Sequence, residues 1–156
     1  MTDPNVFGDD WDEGFPPTPG WTFEVKRLVP GGGDLGMSLY ELPPGERQPL
    51  YHFHHGNDEL ILVLRGTPTL RTPEGEHELR AGDLVRFPTG PAGAHQVINR
   101  SDEPVRYVIV ASHRSPELVE YPDSGKVAAM SREGPLWTMH RLADAVDYFD
   151  GEEPGA

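Results

Sequence analysis

The chain has no cysteine among its 156 residues. That excludes disulfides and thiolate metal sites, so a bound metal would have to be held by imidazole and oxygen ligands. Basic residues are few: 13 Lys and Arg stand against 26 Asp and Glu, a formal net charge of -13. Such a chain repels phosphate backbones and anionic bilayers, so neither nucleic acid nor membrane is an expected partner. Long apolar runs are missing too. Stretches such as LILVL at 60–64 fall far short of the ~20 residues that cross a bilayer. The first twenty residues, MTDPNVFGDDWDEGFPPTPG, lack the basic start and apolar core of a signal peptide, and a cytoplasmic location is expected.

What the chain does contain is punctuation. Eighteen glycines and seventeen prolines interrupt short apolar runs rich in Val, Leu, Ile, Phe and Tyr, which is an all-β rhythm. Strands are expected at 21–29, 35–42, 50–55, 59–65, 67–72, 76–80, 83–88, 94–99 and 104–112. Their links are turn-like; TPEG at 72–75, for example, carries Pro and Gly where a type I turn favours them. Many short strands joined this way predict a sandwich or barrel, which leaves few exposed edges. Residues 1–20 read as an acidic, proline-rich arm with Trp11 and Phe15 as anchors, docked rather than mobile. Residues 21–121 form the barrel, and 122–156 an extension with a short helix over MHRLADAVDYF (139–149) and an acidic tail.

Three of the seven histidines fall in YHFHHGNDE, residues 51–59. In an extended strand His52 and His54 share one face, while Tyr51, Phe53 and His55 take the other. HGND (55–58) should turn the chain, so that Glu59 opens the return strand and faces back toward both imidazoles. His95 enters a strand after the loop PTGPAG, and inward positions of neighbouring barrel strands lie close together. His52, His54, Glu59 and His95 could thus surround one ion. Imidazoles with one carboxylate suit a divalent transition metal such as Mn, Fe, Ni, Co or Zn rather than Mg or Ca. An octahedral ion would keep two positions for water or substrate.

These residues resemble the two motifs of the cupin superfamily. His52, His54, Glu59 and Gly66 follow the first; Gly82, Pro88, Gly90, His95 and Asn99 follow the second, although four residues separate Gly90 from His95 where the commoner pattern has two. The resemblance covers about residues 36–112 and implies a cupin-type double-stranded β-helix, a jelly-roll barrel that is often dimeric and carries its metal inside. A small single-domain bacterial cupin of the type-2 kind is expected, with a small-molecule ligand or substrate and a homodimeric assembly.

Three functions fit this reading. One is a metal-dependent enzyme of oxygenase or isomerase type acting on a small organic molecule. A second is a non-catalytic module that binds or senses a small molecule. The third is a metal-independent sugar isomerase or epimerase with a histidine base, which requires a tyrosine acid that one chain does not reveal. Outside the cluster, His55, His77, His113 and His140 read as surface or packing residues, Asn99 as a turn cap, and YPDSGK (121–126) as a plain turn rather than a route for Lys126 to an anionic substrate.

Overall fold

The computed structural model describes residues 4–12, 18, 20–29, 33–48 and 50–153. Each of the nine expected runs contains a strand: β1 (Glu24–Val29), β2 (Leu35–Leu42), β3 (Phe53–His54), β4 (Glu59–Arg65), β5 (Thr69–Thr72), β6 (Gly75–Glu78), β7 (Leu84–Phe87), β8 (Gln96–Ile98) and β9 (Val105–Ser112). Three more follow: β10 (Glu117–Tyr121), β11 (Lys126–Met130) and β12 (Trp137–Arg141). No helix among the described residues is long and apolar enough to cross a membrane.

One wall of the barrel is the antiparallel sheet β1-β2-β9-β4-β7. The other comprises β12-β11-β10-β3 and β6-β5-β8, linked by an isolated bridge between His52 and His95. Alternation explains the interior. Along β4, Ile61 and Val63 point inward and are buried, and Glu59 shares their parity. They pack with Leu42, Leu70, Phe87, Val97, Val105, Tyr107 and Ile109 in one apolar cluster. Burying each such aliphatic or aromatic side chain contributes about 1.5–3 kcal/mol before chain entropy is counted. The expected 72–75 turn is present as a two-residue link, with Thr72 paired to Gly75 at φ 125°.

The outer face of the first wall is also covered. Leu28, Leu39 and Val108 form a second cluster, packed by Val6 and Trp11 from the arm. Arg106 ties the arm down: its guanidinium meets Asp9 at 2.6 Å and Glu41 at 2.7 Å, and lies 5.0 Å from the Trp11 ring centre. The other expected anchor, Phe15, lies outside the described residues.

The helix expected over 139–149 does not form. Met139–Arg141 instead complete β12, with Met139 paired to Ala128 and Arg141 to Lys126. Only Leu142–Asp144 make a single 3-10 turn. An eleven-residue amphipathic segment is below the length at which a helix holds in water. The open edge of β11 offers a full ladder of hydrogen-bond partners in its place.

Candidate metal centre

His52 and His54 reach the barrel interior through the short strand β3. The backbones of His52 and His95 exchange both hydrogen bonds, at 3.2 and 2.9 Å. On the far side, β10 pairs with β3. Between Gly90 and His95 the longer loop is absorbed by a 3-10 turn at Pro91–Gly93, which sets His95 at the start of β8. Gly93 fits only because it has no Cβ; one built there would lie 1.8 Å from the Pro88 carbonyl oxygen. The Phe87 ring stacks on His95 at 3.8 Å between centres.

The bend at 55–58 is fastened by Asn57. Its Nδ2 donates to the Arg114 carbonyl, while its Oδ1 accepts from the Arg114 amide at 2.7 Å and the Ser112 hydroxyl at 3.1 Å. The return strand then begins at Glu59, which faces the imidazoles as parity with a turn requires. One Glu59 oxygen lies 3.3 Å from Nε2 of His54 and 3.3 Å from Nε2 of His95. The rings of His52 and His95 are 4.7 Å apart, and those of His52 and His54 5.1 Å. Ligand atoms of His52, His54 and Glu59 all lie within 4.8 Å of one another. His95 stands beside that trio, close to Glu59 and His52, but outside its common radius.

The hydrogen bonds give the three imidazoles one orientation. Nδ1 of His52 pairs with the Leu50 carbonyl at 3.0 Å, Nδ1 of His95 with the Gly93 carbonyl at 2.9 Å, and Nδ1 of His54 with Glu117 at 2.6 Å. A carbonyl or carboxylate there can only accept, so each Nδ1 must carry the proton in the neutral ring. Each Nε2 is left with a lone pair. Nε2 of His54, Nε2 of His95 and Oε2 of Glu59 are buried without a hydrogen-bond partner. Three orphaned donor atoms in one place are costly unless something fills the gap. Imidazole nitrogen and carboxylate oxygen match a divalent transition ion.

The electrostatics agree. Burial, reinforced by His95 and His54, pushes His52 down to about 4, so its ring is neutral at pH 7. Burial also opposes charge on His54, but the Glu117 and Glu59 carboxylates outweigh it and raise that group to about 10. For Glu59, burial disfavours the carboxylate, yet His54 and His95 hold it well below the usual range. The negative field that keeps a proton on His54 would equally hold a cation, which must displace that proton to bind.

His52, His54 and Glu117 line a cavity of about 380 Å³ together with Tyr40, Gln48, Tyr121, Arg27 and Arg132. Burial raises the phenols of Tyr40 and Tyr121, so both remain protonated at neutral pH. Glu117 and Tyr121 lie on β10, outside both histidine motifs, and sequence reading missed them. The only available signal was ELVEY itself, an alternating run followed by a Pro turn. The remaining histidines differ in setting. His55 is exposed and pairs with Glu120 at 3.1 Å; His77 and His140 lie on the surface; His113 packs over Gly36. Asn99 caps its turn, accepting from Ser101 and donating to the Leu42 and Glu103 carbonyls. Residues 122–124 form a 3-10 turn, and Lys126 lies over the Tyr121 ring.

Comparison with known proteins agrees with this architecture. The Cupin domain family model matches residues 38–111. A sugar phosphate isomerase of a cupin superfamily from Silicibacter pomeroyi is 30% identical, with a TM-score of 0.71 over 85% of this chain and 83% of that one. A protein from Acidithiobacillus ferrooxidans with a proposed sugar phosphate isomerase activity is 26% identical, with a TM-score of 0.72 over 83% and 82%. The polyketide cyclase RemF from Streptomyces resistomycificus shares the fold at 23% identity, with a TM-score of 0.57 over 69% and 78%. None of the curated proteins compared matches the chain.

Proposed function

The chain belongs to the cupin superfamily, and from that premise we propose that it is a metal-dependent enzyme of isomerase type acting on a small organic molecule. One observation carries the reading: three buried, unpartnered donor atoms from His54, Glu59 and His95 cluster beside His52, and His52 and His54 line a cavity sized for a small molecule. The isomerases among its relatives lend the reaction type. His52, His54, Glu59 and His95 would hold the ion, with Glu117 fixing His54. A divalent ion bound there supplies Lewis acidity toward a substrate carbonyl or hydroxyl.

The chain's own groups supply the rest. Neutral His52 is ready to ligate without first losing a proton. Tyr121, protonated and on the cavity wall, can donate to a substrate oxygen while a proton moves between neighbouring carbons. Val119 and Met130 line the same wall and limit water. For assembly, we place a second copy against β12, whose outer edge is unpaired among the described residues and carries Trp137 at 67% exposure.

A second reading has one observation of its own. The His52 and Tyr121 rings stand 6.1 Å apart, so a neutral imidazole base and a phenolic acid could shift a proton with no metal. Incubation with free and phosphorylated sugars in heavy water, followed by NMR, separates the two. Deuterium entering beside the carbonyl, and ceasing when metal is chelated, supports the metal-dependent isomerase. Exchange that survives chelation but not Tyr121→Phe favours the second reading, and no exchange with any substrate contradicts both.

A further inference from the structure

The cavity carries an uneven set of charges at its rim. Val25 and Arg27, two apart on β1, both line it, as do Met130, the last residue of β11, and Arg132 in the bend just beyond it. Both arginines thus line the same opening. Several arginines elsewhere are committed to carboxylates: Arg71 forks onto Asp123 at 2.6 and 2.8 Å, and Arg106 meets Asp9 and Glu41 at 2.6 and 2.7 Å. Arg27 has only a long 3.5 Å contact to Asp12 and is 60% exposed. Arg132 makes no side-chain ion pair among the described residues. In a chain of net charge -13, two cations left to one opening provide a local attraction that the global field opposes.

A second feature lies deeper. Gln48 is 8% exposed, lines the cavity, and its Oε1 has no hydrogen-bond partner. A buried carbonyl oxygen of this kind is stabilised by a ligand hydroxyl or amine. We propose that the cavity takes a small hydroxylated phosphate monoester, its phosphate between Arg27 and Arg132 at the mouth and one hydroxyl donating to Gln48. A phosphate dianion needs two cations and offers oxygens that match guanidinium forks. A volume of about 380 Å³ is at the small end of small-molecule sites, which suits a compact ligand. This assignment rests on reading the cavity as the substrate site.

The test uses the full chain, metal-loaded, titrated by calorimetry with inorganic phosphate and, separately, with acetate. Metal content is measured on each sample. Arg27→Gln/Arg132→Gln should weaken phosphate binding at least tenfold with the fold and metal content unchanged, whereas Arg141→Gln, on β12, should have no effect. Gln48→Leu should leave inorganic phosphate alone but weaken glycerol phosphate severalfold. Unchanged phosphate affinity in the double arginine variant would overturn the proposal, as would acetate binding as tightly as phosphate. If the chain proves metal-free while the arginine variants still weaken phosphate, this inference stands and the metal-dependent reading alone fails.

Discussion

Glu117 accepts a hydrogen bond from Nδ1 of His54 at 2.6 Å across 63 positions of sequence, joining a strand beyond the histidine motifs to the centre they form. The carboxylate is 5% exposed, so it acts on His54 with little screening by water. It fixes the ring's tautomer and makes the opposite nitrogen a better donor.

Removing that partner should therefore weaken metal binding without unfolding the barrel. Glu117→Ala is expected to reduce affinity about 10–100-fold, and Glu117→Gln less, because an amide oxygen can still accept from Nδ1. Competition against a chromophoric chelator measures both, with circular dichroism as the check on folding. Equal affinity in all three proteins would refute the role.

The chelated protein should be most stable near pH 6.5. His52 is depressed to about 4, so its contribution is present above 6.5 and is lost as pH falls through 4. His54 is raised to about 10, so its contribution is complete below 6.5 and is lost as pH rises through 10. The acid limb amounts to about 3 kcal/mol and the alkaline limb to about 5 kcal/mol, at 1.36 kcal/mol per pH unit. Urea titrations across this range would show it, and His52→Asn should flatten the acid limb only.

Gly93 is expected to tolerate no side chain. A Cβ would collide with the Pro88 carbonyl, and Gly93 also supplies the carbonyl that orients His95. Gly93→Ala should cost about 1–3 kcal/mol, a fall of several degrees in thermal midpoint, together with weaker metal binding. A variant with unaltered midpoint and metal affinity would show that the loop is slack.

Trp137 offers a test of the assembly. If β12 is the contact between copies, Trp137→Glu should shift sedimentation from dimer toward monomer while the thermal midpoint of the monomer stays close to that of the parent. A parent chain that sediments as a monomer at every concentration rules out this contact.

Much of the architecture could be read directly from residue order. Alternating apolar runs between Gly and Pro located nine strands because the barrel interior buries one face of most of them, although β6 is exposed throughout. The parity of His52 and His54, with a turn before Glu59, brought those three groups together for the same reason. The final three strands were hidden. KVAAM and WTMHR are built partly from residues that favour helices, and their strand state comes from pairing, β11 with β10 and β12 with β11, on a sheet anchored by the long-range pairing of β10 with β3, which local propensity does not encode. Glu117 and Tyr121 were hidden with them, since their role depends on β10 lying against β3. The arm's contact with Leu28, Leu39 and Val108 was visible only as an aromatic residue in an acidic stretch.

The most direct measurement is the metal content of the chain purified without a histidine tag, set beside that of His52→Asn/His54→Asn/Glu59→Gln. We expect about one divalent transition ion per parent chain and essentially none in the triple variant. A parent that stays empty after incubation with Mn, Fe, Co, Ni and Zn salts, or a triple variant that still binds one ion, would contradict the account.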